Sequence, residues 1–108
     1  MATGRVATAV IATGSALQSL YQVPAGYYGV YNISFCNYGA TSTTIRMAIS
    51  TSNSAPGAGE YYEYGTVIAA GGVFERTGLV AQAGLYVVVW STSTSVAINV
   101  YGIETSTS

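Results

Sequence analysis

The chain has no histidine, no lysine and no aspartate, and only one cysteine and two prolines among its 108 residues. Each shortage removes a class of chemistry. Without those three residue types a serine hydroxyl lacks its customary base, so a hydrolytic triad cannot be assembled. One thiol and no imidazole leave neither a zinc ligand set nor a calcium loop, so no metal and no cofactor is expected. Cys36 cannot form an internal disulfide and reads as an inert thiol beside Phe35. Charge is equally scarce: 6 % of residues are charged, against about a quarter in an ordinary soluble domain. Arg5, Arg46 and Arg76 stand against Glu60, Glu63, Glu75 and Glu104. Three cations cannot make the basic footprint that neutralises a row of phosphates, so nucleic acid is not expected as a partner. No apolar run nears the roughly 20 residues that span a bilayer; the longest, Leu85 to Trp90, is the length of a strand. Met1 to Arg5 has no apolar core of a signal peptide. No membrane partner is expected.

What remains is apolar and aromatic. Half the residues are hydrophobic, and 13 glycines and 10 tyrosines are heavy usage for this length. Disordered chains lack aromatic and β-branched residues, and this one is rich in both. The length suits one domain with one core. The reading is a single domain over 1–108, with 1–5 as an N-terminal arm and 105–108 as a flexible tail.

Alternation points to strands throughout. Val6 to Ile11 and Leu17 to Val23 are the first two. Pro24-Ala25-Gly26 breaks the pattern, and Tyr27 to Cys36 follows with Tyr31, Ile33 and Phe35 on one face. After the turn Asn37 to Ala40, Ile45, Met47 and Ile49 point one way and Thr44, Arg46 and Ala48 the other. Residues 51–59 form a loop dense in turn residues. Tyr61 to Ile68, a short Val73 to Thr77, Leu85 to Ser91 and Val96 to Ile103 complete the set. Gly78 is expected at a corner. Leu85 to Trp90 is apolar on both faces, which places that strand centrally. About eight short strands, with no helical periodicity, make an all-β antiparallel β-sandwich, jelly-roll or immunoglobulin-like. Ala25-Gly26-Tyr27-Tyr28 echoes Ala83-Gly84-Leu85-Tyr86; two related halves, or the recurrence of common turn chemistry, would each produce it.

Two glutamates, Glu63 and Glu75, could meet across the hairpin at Ala69 to Gly72 and act as an acid–base pair. Ion pairing is the better reading, with Glu63, Glu75, Arg76 and Arg46 as structural partners, and no enzymatic activity is expected. The tyrosines raise a different question. Strict alternation puts Tyr62 and Tyr64 on one face and Tyr61 on the other. A thin domain has one interior, so some rings must face a partner. Tyr27, Tyr28, Tyr61, Tyr62 and Tyr64 are the candidates for an assembly interface, in preference to a glycan platform. A surface with few charges favours association.

Several runs resemble a known group. Glu60-Tyr61-Tyr62-Glu63-Tyr64, then Gly72-Val73, Glu75-Arg76-Thr77-Gly78-Leu79-Val80 and Val96 to Glu104 follow in order; Val23 to Gly26, Cys36-Asn37 and Ile45 to Ser50 precede them. The succession resembles small β-sandwich virion structural proteins of tailed bacteriophages, cyanophages among them. The resemblance implies a non-enzymatic virion protein on the particle surface: a capsid decoration or cement protein that docks on the head. It implies contacts with capsid or other virion proteins and a homo-oligomer such as a trimer. The alternative it leaves is a neck or tail-fibre appendage module that touches host surface glycans.

Overall fold

A computed structural model of the chain describes residues 3–12, 14–53 and 56–106. These form eight strands: β1 (Thr3–Val10), β2 (Ala16–Gln22), β3 (Tyr27–Asn37), β4 (Thr43–Ser50), β5 (Tyr61–Ile68), β6 (Val73–Gln82), β7 (Tyr86–Ser91) and β8 (Val96–Ser106). A short 3₁₀ turn, Ala58–Glu60, precedes β5. The strands make two four-stranded antiparallel sheets, β1-β8-β3-β6 and β2-β7-β4-β5. The pairs β1–β8, β2–β7, β3–β6 and β4–β5 describe one long hairpin, turned between β4 and β5 and rolled up on itself. That is the jelly-roll form of the sandwich, and not the immunoglobulin form.

The alternation seen in the sequence sets the core. Tyr31, Ile33 and Phe35 from β3 and Ile98 and Val100 from β8 face Ile45, Met47 and Ile49 from β4 and Val87 and Val89 from β7. These side chains are removed from water almost completely, a burial that contributes about 1.5–3 kcal/mol each. As expected, β7 is central. The thinnest dimension of the molecule is 20 Å, two layers about 10 Å apart with one interior between them.

Three boundaries differ from the sequence reading. Thr3 to Arg5 is not an arm but the start of β1, paired with Ile103 to Tyr101. Thr105 and Ser106 are not tail but the end of β8, paired with Tyr28 and Tyr27. The sixth strand continues to Gln82, with Gly78 inside it at φ 72° and not at a corner. The remaining residues of the expected arm and tail, and residues 54 and 55 of the expected loop, lie outside the described residues.

All four edge strands carry a β-bulge. One extra residue is inserted in β1 between Arg5 and Ala7, in β2 between Ser19 and Tyr21, and in β6 between Arg76 and Leu79. β5 has two, at Gly65 and Tyr62. The inner pairings, β3 with β8 and β4 with β7, run without a register shift. Bulges bend and twist a free edge so that a second chain cannot pair along it.

Candidate functional site

The bulge at Tyr62 alters which tyrosines sit together. Tyr61 lies opposite Ala48 and Tyr64 opposite Arg46, so both face outward from β5, against the strict alternation read from the sequence. Their rings meet edge to face with centroids 5.0 Å apart. Tyr62, the inserted residue, stands instead beside Arg76, 5.6 Å from its guanidinium carbon.

Register then assembles a cross-strand row on the outer face of the β2-β7-β4-β5 sheet: Leu17, Trp90, Arg46 and Tyr64. The Arg46 guanidinium lies between two rings, 4.0 Å from the centre of Trp90 and 4.2 Å from that of Tyr64. Each such contact stabilises by about 0.5–2 kcal/mol, more when water is excluded. Arg46 was expected to pair with a carboxylate. It makes no ion pair among the described residues, because its strand faces the rings, and its Nε is sealed from solvent without an acceptor.

The four glutamates are engaged elsewhere. Glu63 points inward from β5 and accepts from Arg76 at 2.5 Å and from the Thr66 hydroxyl at 2.6 Å, bridging the two sheets along one open side. Glu75 lies on the outer face of β6 and accepts from the Tyr101 hydroxyl, which raises the phenol's pKa. Glu63 and Glu75 therefore do not meet, and the acid–base pair that the hairpin could have made is absent. Glu60 accepts from the Ser50 hydroxyl at 2.7 Å and the Gly57 N–H at 2.8 Å, which hold its pKa below the usual carboxylate range.

Glu104 is the buried member, and the sequence reading gave it no role. It accepts from the hydroxyls of Tyr21 and Tyr31, the latter at 2.7 Å. Gly29, across the strand pair from Glu104, makes this possible: a Cβ there would sit 2.3 Å from the Tyr31 ring. Burial, then the Glu104 carboxylate, pushes the Tyr21 pKa up to about 12 and raises that of Tyr31 as well. Asn37 was also missed as more than a turn residue. Its buried amide donates to Thr41 and Ile68 carbonyls at 2.9 and 3.0 Å, and its oxygen accepts from Gly39, joining the loops at one end.

The outer face of the other sheet is different in kind. Ile103, Val30 and Val80 are cross-strand neighbours on β8, β3 and β6, with 60 %, 45 % and 61 % of their surface exposed. A second row, Val10, Ala97, Cys36 and Val73, lies further along; Val10 and Val73 are exposed and Cys36 is half-buried. Of the expected interface tyrosines, Tyr28 is exposed near the first row and Tyr27 is half-buried, whereas Tyr61, Tyr62 and Tyr64 belong to the far side of the sandwich. A shallow depression of about 390 Å³, lined by Gln22 to Ala25, Ala83 and Gly84, presents no titratable group. Among the described residues no cluster of three metal-ligating side chains occurs, and no helix is long and apolar enough to cross a membrane. No protein-family model matches the chain, and no curated protein matches it either.

Proposed function

We propose that the protein is a non-enzymatic structural component of a phage particle, a decoration or cement protein that docks on the head and stabilises contacts between capsomers. The row Ile103, Val30, Val80 carries this reading: three large apolar side chains side by side on the outer face of the sheet, with Tyr28 nearby. A contiguous apolar patch of that sort marks a surface that another protein covers. The bulged edges direct assembly to faces, so attachment by added strands is disfavoured. The resemblance of the Glu75-Arg76-Thr77-Gly78 run and its surroundings to virion proteins supports the choice of partner and of a trimer as the docking unit.

The test is direct. Purified protein is added to heads that lack it, and the bound copies are counted and located in a density map. Occupancy at every capsomer junction through the β1-β8-β3-β6 face is the expected result. Occupancy only at the neck or tail would replace it with the appendage reading, for which the aromatic row on the opposite sheet is the supporting feature. Absence from the particle would remove both.

A further inference from the structure

We infer that the outer face of the β2-β7-β4-β5 sheet holds a binding site for saccharides that carry carboxylates, centred on Arg46 between Trp90 and Tyr64. The inference sharpens the appendage reading, yet it concerns the sheet that head docking leaves free.

The first argument is charge. The chain has three cations, and Arg76 is answered by Glu63. Arg46 has no carboxylate among the described residues, although it is half-buried and its Nε lacks an acceptor. The two arginines differ: Arg76 donates to a carboxylate, whereas Arg46 carries an unmet buried donor, which costs about 1–3 kcal/mol. With a ring on either side of the guanidinium carbon and Nε sealed, the two terminal nitrogens are the donors left for an incoming group. Two parallel N–H donors match a carboxylate.

The second argument is the surroundings. Tyr64 is 64 % exposed, so ring surface and a phenol hydroxyl stand beside the guanidinium. A pyranose offers an apolar C–H face to such a ring and hydroxyls to its rim, while its carboxylate reaches the arginine. The neighbouring row is Ser19, Val88, Ala48 and Tyr61, with Val88 and Ala48 fully covered. A second copy of the protein is the poorer occupant, because each of its glutamates is already engaged.

Trp90 is the single tryptophan and touches the proposed ligand's anchor, so its fluorescence reports occupancy. Isolated protein is titrated with a galacturonate hexamer, the same hexamer as its methyl ester, neutral maltohexaose and hexaglutamate. The expected result is saturable binding of the acidic hexamer, weakened about tenfold or more by esterification, by Arg46→Gln or in maltohexaose. Arg46→Lys should recover only part of it, since an ammonium cannot make the paired bonds. Equal binding of ester and acid, or no binding of the acid, overturns the site. Equal binding of hexaglutamate overturns the sugar assignment in favour of an acidic peptide. The ester comparison needs no variant, so it decides even if Arg46→Gln fails to fold. Because no particle is involved, failure here is separable from failure to dock on a head.

Discussion

Glu104 has 1 % of its surface exposed, and an unpartnered carboxylate at that depth would be protonated or would unfold the chain. The hydroxyls of Tyr21 and Tyr31 are among the donors that hold it. Tyr31→Phe removes the 2.7 Å bond and nothing else of size, so it should destabilise by about 1.5–3 kcal/mol, the usual range for a bond to a charged group. Tyr101→Phe removes a bond at the surface and should shift stability far less. Urea midpoints of the two variants distinguish buried from exposed. The same pair of phenols sets an alkaline limit. In the unfolded chain they titrate near about 10; in the folded one Tyr21 is pushed to about 12 and Tyr31 is raised too. Below pH of about 10 both states keep their protons and the contribution is whole. Above it the unfolded chain releases protons that the folded one retains, so stability should fall steadily towards pH of about 12. Urea midpoints measured across that range should show the fall, and Tyr21→Phe should flatten part of it. The buried carboxylate was not legible in the sequence, where Glu104 sits in a polar-looking terminus; Gly29 two residues before Tyr31 was the available signal, and it needs the partner strand to be read.

At the scale of elements, the alternation of β3, β4 and β7 was legible because each has one or two faces in the core, and the pattern has period two. The edges were not. A glycine at positive φ serves a corner and a bulge equally well, so Gly78 was placed at a turn when it lies within β6. The insertion at Tyr62 shifted the facing of β5 by one, which brought Tyr61 to Tyr64 and set Tyr64 over Arg46. Bulges at every edge protect a chain whose few charges give it little other defence against strand-to-strand aggregation. Deleting Gly78 should test this. It removes the extra residue while leaving the faces of β6 on both sides unchanged, and a Cβ at that position would meet nothing within 4 Å, so the glycine is not there for packing. The shortened strand should still fold, and it should self-associate at concentrations where the parent stays dispersed, as sedimentation velocity would record. A shortened strand that remains as dispersed as the parent would leave the bulge without that role.

For the whole molecule, the jelly roll explains why two distant segments look alike. Exchanging the first four strands with the last four turns the order β1-β8-β3-β6 into β5-β4-β7-β2, which is the other sheet read backwards. The segments at Gly26 and Gly84 lead into β3 and β7, strands that this exchange relates, and their turns meet through hydrogen bonds between Val23, Gly84 and Leu85 at one end. The sequence echo thus coincides with equivalent places in the fold. The two outer faces, however, have diverged: one is apolar and uncharged along the row Ile103, Val30, Val80, the other carries Arg46 among rings. That division yields opposite responses to salt. Raising ionic strength from about 0.1 M to about 1 M shortens screening from about 10 Å to about 3 Å and strengthens apolar contacts only slightly. Attachment to heads through the valine row should therefore persist in high salt, whereas an anion held by Arg46 should be released. Val30→Glu and Val80→Glu place charge in the middle and at one end of the row and should abolish co-sedimentation with heads. Both side chains are already exposed, so melting should move little, and loss of attachment with an unchanged melting curve would assign docking to this face. Release of the parent protein by moderate salt, with the valine variants still bound, would move the docking surface to the other sheet.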